Sequence, residues 1–552
     1  MEVAKLWLSQ CLGSHKGFYY DSLNEDDDPC AACDGNGPAK DYAAVRLLEI
    51  SASHVRTVPA AKVKQPYATL SYSWGSGPQW PWGPQRIERV AISAMLDVGL
   101  PRSSLPKTIS DAVWVAEQLG LDYLWVDVLC IRQDDAEFVR ESVKMATIYS
   151  EALLCISASS SAGNDAGLFN KRSRSQHKGF AAHIPIERSD GVRPDGLVFY
   201  QRRQYLRSST TFPWSAELEE DVYRQDVEAG RLSERAWGLQ ERICSPRILH
   251  FGTTQMLWQC NRTIWTEDNL GLQTYMDLGR SIRTWKVLFF PIKLEDHVGV
   301  NRTLAEEYEA LKRTLEDMWS NAIIPDYYSG KLLTHWDDKL MAIAGLAKKI
   351  WQQDPSLQYV AGHWREGLPT SLLWYASTPS RRIAPYVAPS WSWASLQGRV
   401  QMDEDIVIGD DAVIRCNVID CWAVTSNGDQ FGRVLDAGLE IEATALRGTV
   451  AGRKTPNSTS ANIYLDGIDG AYTRAELDDD RDDNLRVFAL LIKQCFVQHP
   501  NPKAPWHWAV LLIVPKDERH ERFTRVGFGV VSVPFVIPAD DERLLKSRWV
   551  LV

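Results

Sequence analysis

The hydrophobic positions of this chain switch repeatedly between continuous runs and helical spacing. AVRLLEI at 44–50 and YATLSYSWG at 67–75 are compact runs of aliphatic, aromatic and β-branched residues, the composition of strands. LPKTISDAVWVAEQLG at 105–120 changes to helical spacing: Val113, Ala116 and Leu119 recur, Thr108 is the expected N-cap and Gly120 the expected stop. LDYLWVDVLCI at 121–131 returns to a near-continuous apolar run and predicts a buried parallel strand. DDAEFVRESVKMATIYSEA at 134–152 predicts a second helix, its opening acids set where the helix N-terminus favours negative charge. LLCISAS at 153–159 predicts one more strand. This alternation of strands and helices predicts an α/β layer built on a parallel sheet.

A polar stretch from about 170 to 230 separates that layer from LSERAWGLQERICSPRILHFG at 232–252. The latter reads as a helix carrying Trp237, Gln240, Glu241 and Arg242, then a strand that continues through QMLWQC at 255–260. Helical spacing dominates 280–352, most clearly in DDKLMAIAGLAKKI at 337–350. From 385 onward short β-like runs alternate with Gly, Asp and Asn turns, among them PSWSWASLQG, RVLDAGLEIEATALRGTV and HWAVLLIVP. GIDGAYTRAELDDDRDDN at 467–484 is expected to be an acidic surface loop. The expected organisation is an N-terminal extension (1–60), an α/β domain (61–270), a helical region (271–380) and a β-rich module (381–552).

Composition narrows the function classes. A formal net charge of -10 and a pI near 5.7 argue against a general nucleic-acid binder, and the basic run KRSR at 171–174 is short. No apolar window is long enough to cross a bilayer, and MEVAKLWLSQCLGSH lacks the layout of a signal peptide, so a cytoplasmic protein is expected. The sequons at Asn261, Asn301 and Asn457 then carry no glycosylation meaning. Ten cysteines suit a reducing compartment, where most are free and buried. Twenty-two tryptophans cluster near the motifs, as core bulk or as a stacking site.

Candidate chemistry gathers around the first strand tip. SYSWGSG at 71–77 places Tyr72, Ser73, Trp74 and the amides from Gly75 to Gly77 at one strand end. Asp127 interrupts an apolar run, and a buried carboxylate requires a partner, for which Arg235 and Arg242 are candidates. Two readings stand for it: an ion pair within the fold, or an acid that orients a ligand. Cys130, three residues on, is either a nucleophile with a nearby base or an inert buried thiol; His250 and His15 are the histidines considered. Gln240, Glu241 and Arg242, near a helix end, are placed to hold a phosphate or close the site, or else to pair internally. Cys11, His15, Cys30 and Cys33 supply four soft ligands within one short segment, enough for a tetrahedral structural zinc; a loop without metal is the alternative. No Walker loop, nucleophile elbow or zincin motif is present.

Four ordered stretches carry a family resemblance: YATLSYSWG, LPKTISDAVWVAEQLGLDYLWVDVLCIRQDD, MATIYSEALLCISAS with the following GLF at 167–169, and RAWGLQERICSPRILHF. Together they resemble the fungal heterokaryon-incompatibility (HET) domain. The resemblance implies a role in fungal non-self recognition and cell death, and a fold distantly similar to TIR domains, several of which cleave NAD. By that resemblance SYSWGSG is a ligand-side loop, since ligands of open α/β sheets bind beyond the carboxyl ends of the strands. It also nominates Glu141 as the catalytic carboxylate, set three residues after Phe138 where the NAD-cleaving domains have four; its role would be to stabilise the oxocarbenium-like state as nicotinamide departs. A structural surface glutamate is the other reading. The implied ligand is a small molecule or nucleotide, with NAD as substrate and with self-association. Two further classes remain: a secondary-metabolism enzyme using Cys130 and Asp127, and a non-catalytic assembly module.

Overall fold

The protein is described by a computed structural model over residues 1–13, 42–75, 96–132, 135–169, 179–184, 197–202, 223–261, 264–267, 318–378, 380–402, 406–407, 415–452, 459–468, 472–479, 484–497, 506–533 and 541–552. The expected helices between 280 and 317, the loop from Gly77 to Gln85, and His15, Cys30 and Cys33 lie outside these residues. The chain forms two compact units. One comprises Met1–Phe138, Ile148–Glu234 and Ser245–Val287; the other Val139–Thr147, Arg235–Cys244 and Leu288–Val552.

The first unit is built on a nine-stranded mixed sheet. Its strands are β1 (Arg46–Ile50), β2 (His54–Pro59), β3 (Ala68–Ser71), β4 (Leu100–Pro101), β5 (Tyr123–Trp125) and β6 (Leu154–Ser157), followed by β9 (Arg247–Phe251), β10 (Met256–Cys260) and β11 (Ile264–Thr266). Between them β7 (Gly179–Ile184) and β8 (Leu197–Arg202) form a separate antiparallel pair inside the polar stretch from about 170 to 230. The sheet order is β11-β10-β9-β6-β3-β5-β1-β2-β4. The centre, β5, β3, β6 and β9, is parallel, whereas β1 pairs with β5 antiparallel. The parallel strands are short and wholly apolar or small in their centres because both faces are covered; β3 and β6 are buried at every position. α1 (Glu2–Leu12) buries Ala4, Trp7, Leu8 and Cys11.

α2 (Lys107–Gln118) buries Ile109, Ala112, Val113, Val115 and Ala116. It stops where the glycine was expected to stop it: Gly120 adopts φ +77, its N–H reaches Glu117 O, and Leu121 N–H reaches Ala116 O, a Schellman closure. Its start differs from expectation. Pro106 is the N-cap, and Thr108 lies one turn position inside, fully buried, with its hydroxyl turned to another loop. The expected strand 121–131 is also shorter. β5 ends at Trp125, and Asp127–Cys130 forms one helical turn, α3. The Asp127 carboxylate accepts from Val128 N–H at 2.7 Å, the local bond by which aspartate competes with a strand ladder. The helix expected over 134–152 is split into α4 (Asp135–Ser142) and α5 (Met145–Glu151), with Lys144 N–H turned back to Glu141 O. Likewise β9 does not run on into β10. The chain reverses, and the Asp226 carboxylate accepts from the amides of Thr253 and Thr254 in the turn.

The second unit contains α6 (Ala236–Cys244) and α7 (Met341–Gln353), two short strand pairs and a large sheet. These are the hairpin of β12 (Tyr359–Val360) with β13 (His363–Trp364), and the antiparallel pair of β14 (Trp374–Ala376) with β15 (Val400–Met402), joined by a long connection. PSWSWAS is not a strand: Ser392 caps a single 3-10 turn at Trp393–Ser395 through its side chain, as serine does at helical starts. In the sheet, β16 (Ile406–Val407) and β17 (Cys416–Thr425) are edges. β18 (Val434–Ala451), β19 (Ser460–Leu465), β20 (Tyr472–Leu477), β23 (Phe523–Val533), β22 (Trp506–Pro515) and β21 (Leu485–Val497) form a ring that closes where β21 pairs back on β18. β24 (Leu545–Leu551) pairs with β18 and β23. Leu446, Ile463, Leu477, Leu491, Val510 and Val531 lie in the core of the ring.

The expected acidic loop at 467–484 is corrected most sharply. It contains β20, and Asp478 is completely buried. Asp478 accepts from Arg525 Nε at 3.0 Å and Arg382 Nη2 at 3.0 Å. Arg525, also fully buried, donates to Leu372 O and Trp374 O and lies 3.3 Å from the Trp374 ring centroid. Burial opposes the charge of Arg525, and Asp478 is the counter-charge that permits it.

Candidate functional site

In the first unit four parallel strands point their carboxyl ends the same way, and the chain leaves them through loops rich in small polar residues. β3 ends at Ser71; Tyr72 is still buried, Ser73 is half-buried, and Trp74 emerges 37% exposed. The Trp74 indole N–H donates to Asp127 Oδ2 at 3.1 Å, so the tip of β3 is tied to the turn after its neighbour β5. Asp127 is half-buried at the start of that turn. The indole is a partner for Asp127 that the sequence did not name.

A second loop, after β6, holds Trp74 from the other side. Asn164 Nδ2 donates to Trp74 O at 2.6 Å. Gly75, at φ +82, meets Gly163 backbone to backbone: a Cβ on Gly163 would lie 3.0 Å from Gly75 Cα. Neither position admits a side chain without displacement. Thr108 anchors the same loop from α2, donating to Gly163 O at 2.7 Å and accepting from Gly167 N at 3.0 Å. Gly75 N–H points back to Ser73 Oγ at 3.4 Å.

Beneath the tips lies a buried polar chain. Ser71, Ser157 and His250 stand in register across β3, β6 and β9. Ser157 Oγ is 3.0 Å from Ser159 Oγ, and Ser159 Oγ is 3.0 Å from His250 Nδ1. His250 Nε2 is 3.0 Å from Gln259 Oε1, which also accepts from Tyr223 OH at 3.0 Å. His250 thus stands between Ser159 and the Gln259 amide, one ring nitrogen toward each. The chain orients the serines beneath the strand tips. Sequence reasoning singled out His250 but not Ser157, Ser159 or Gln259, which sit on other strands or loops; the only local signal was SAS closing LLCISAS.

Cys130 is 1% exposed, its sulfur within 3.5 Å of Val126 N, and burial pushes its thiol up to about 12. A nucleophilic cysteine needs the opposite shift, so the thiol is placed as an inert core group. Cys11 is buried on α1, where Arg247 Nε donates to its sulfur at 3.3 Å. Among the described residues no cluster of three or more His, Cys, Asp or Glu side chains is arranged for a metal ion.

The second unit holds the other residues singled out. Glu141 is 2% exposed, not a surface helix residue, and its carboxylate pairs with Lys144 Nζ at 2.8 Å. Gln240 is buried on α6 and its Oε1 accepts from Gly345 N of α7 at 2.9 Å. A Cβ on Gly345 would lie 2.3 Å from the Ala146 Cβ, so this packing requires the glycine. Glu241 is buried beside it, while Arg242 and Arg235 are half-buried; Arg235 bridges to Leu332 through the backbone. Gln240 is therefore a helix–helix tie.

Among the described residues no helix is long and apolar enough to cross a membrane. No curated protein and no solved structure matches the chain. One family model does match, described as heterokaryon incompatibility protein (HET), over residues 67–241; the match begins at Tyr67, next to β3, and ends at Glu241 on α6. Residues 67–241 thus carry the likeness to the heterokaryon-incompatibility (HET) family.

Proposed function

We propose that this HET-domain protein acts in non-self recognition and the cell-death response of fungal cells by binding a nucleotide at the carboxyl edge of its parallel strands, and that the bound species is NAD or a close relative. The observation that carries the reading is the Trp74–Asp127 hydrogen bond, which joins an exposed aromatic face to a carboxylate at adjacent strand tips. Such a pair suits a nucleoside: the indole face stacks a planar ring, and the carboxylate accepts from ribose hydroxyls. The reaction is hydrolysis of the nicotinamide–ribose bond. Nicotinamide leaves as a neutral molecule, the ribose carbon becomes oxocarbenium-like, water adds to it, and one proton is released with ADP-ribose. The family resemblance nominates Glu141 as a catalytic carboxylate; it belongs to the second unit, where it pairs with Lys144.

The test is nicotinamide release from NAD by the purified full chain, with Trp74→Ala, Asp127→Asn and Glu141→Gln compared at equal folded content. Release that falls at least tenfold in all three supports the reading. Release unchanged in Trp74→Ala and Asp127→Asn moves the site elsewhere.

A second reading, assembly without catalysis, is favoured by one observation. Trp114 and Phe169 are both exposed, 40% and 45%, and meet edge to face at 5.4 Å. Trp114→Ala with Phe169→Ala would then abolish self-association in sedimentation while leaving the monomer folded.

A further inference from the structure

The two carboxylates singled out from the sequence, Glu141 and Asp127, are presented differently. Glu141 is 2% exposed, and its carboxylate is paired with Lys144 Nζ at 2.8 Å. Asp127 is half-buried just beyond β5 at the carboxyl edge of the parallel strands, and both of its oxygens are held. Oδ1 accepts from Val128 N–H at 2.7 Å, and Oδ2 accepts from the Trp74 indole N–H at 3.1 Å. These two donors are neutral, so they fix the direction of the carboxylate without cancelling its charge. An indole N–H lies in the plane of its ring, so the carboxylate stands off the edge of the Trp74 ring and not over its face. Trp74 is 37% exposed, and a planar ligand ring stacked on it at about 3.5–4 Å carries its substituent out over an edge. At the Nε1 edge that substituent meets a carboxylate.

Resting on the nucleotide reading above, we propose that the Trp74–Asp127 pair is the nicotinamide subsite and that Asp127 is the catalytic carboxylate facing the ribose carbon C1′. The charge of the ligand selects this half of NAD. Its nicotinamide ring is a cation, and tryptophan is the side chain whose face attracts a cation most strongly. A carboxylate at the edge of the indole adds to that attraction. Adenine is neutral and gains only the stacking. The same arrangement favours the reaction. As the C1′–N bond breaks, its electron pair goes to the ring nitrogen and nicotinamide becomes neutral. The positive charge passes to the C1′–O4′ unit of the ribose, out over the edge where Asp127 stands. Water then adds at C1′ and gives one proton to solvent. Charge therefore moves away from the indole face and toward the carboxylate. Asp127 then interacts more strongly with the transition state than with the bound substrate, which is the condition for catalysis rather than binding alone.

The two halves of NAD, nicotinamide mononucleotide and AMP, are titrated into the full chain by ligand-observed NMR. Trp74→Ala and Asp127→Asn should each weaken nicotinamide mononucleotide at least about fivefold and AMP by less than about twofold, since only the first carries the cation. Asp127→Asn keeps the size of the side chain and an oxygen for Val128 N–H, so the turn is preserved. In nicotinamide release from NAD, Asp127→Ala should lose activity and added formate, which returns a carboxylate, should restore it; Glu141→Ala should not respond to formate. Should Asp127→Ala fail to fold, the two titrations with Asp127→Asn still decide. If Trp74→Ala weakens AMP and spares nicotinamide mononucleotide, adenine occupies the indole: this assignment falls and the nucleotide reading stands. Wild-type protein that binds neither half nor NAD overturns both. Formate that restores neither alanine variant, or only Glu141→Ala, overturns the catalytic role of Asp127.

Discussion

Thr108→Val is the sharpest test of how the strand-tip site is held. Valine matches threonine in shape, so the substitution removes a hydroxyl and leaves no cavity. That hydroxyl is fully buried, donates to Gly163 O and accepts from Gly167 N. The two losses differ. Gly163 O keeps Ser161 Oγ at 2.8 Å, so only a net hydrogen bond disappears there, about 0.5–1.5 kcal/mol. Gly167 N–H is buried and loses its acceptor, which costs the desolvation of an unpaired group, about 1–3 kcal/mol. Together the variant should lose about 2–4 kcal/mol, whereas Thr108→Ser, which keeps the hydroxyl and drops one methyl, should lose only about 1 kcal/mol. The effect is local, so amide hydrogen exchange is the primary assay: residues 163–168 should exchange faster in Thr108→Val, with urea unfolding as the global measure. Because Asn164 fixes Trp74 O from the same loop, nicotinamide release should fall with it. A Thr108→Val protein within about 0.5 kcal/mol of wild type, with unchanged exchange at 163–168, would refute the clamp.

Other predictions concern charge and thiols. Asp478→Ala leaves Arg525 buried without its counter-charge and should cost about 3–5 kcal/mol in urea unfolding; a loss under 1 kcal/mol would mean that the two backbone carbonyls suffice. Asp338 is raised to about 6 by burial and by Asp337, so the folded state holds its proton more tightly than the unfolded chain, and stability should fall as pH rises from about 4 to 6. Asp338→Asn should flatten that slope in unfolding measured across the interval. Lys339 is lowered to about 7 by burial, so the unfolded chain binds the proton better and stability should rise from pH 7 to about 10, a rise that Lys339→Met should remove. Iodoacetamide at pH 7.5 should leave Cys130 unmodified in native protein by peptide mass mapping; rapid alkylation would reinstate a thiol enzyme.

What was legible in the sequence is what short-range physics decides. β1, β3, β6 and the end of α2 at Gly120 follow from hydrophobic period and from one residue able to adopt positive φ, and the structure has them close to where they were expected. Several of the misses share a different cause: a polar residue whose partner lies far along the chain. Thr108 reads as a cap because serine and threonine commonly cap helices, yet its hydroxyl is claimed by Gly163, 55 residues on. Asp478 reads as solvent-exposed because acids surround it, yet Arg525, 47 residues later, draws it into the interior. His250 was noticed without neighbours because Ser159 lies 91 residues before it and only the β6–β9 pairing brings them together. Trp74 and Asp127 are 53 residues apart and were each singled out, one as a strand tip and the other as a buried acid, but their union needs β3 beside β5. A polar residue that violates its local pattern is thus the informative one. The pattern says that it needs a partner, and the sheet order says which one it gets. Asp127 belongs to this class, and one partner that the sheet order brings to it is the exposed Trp74 indole, which is why the strand tip is where a ligand should be sought.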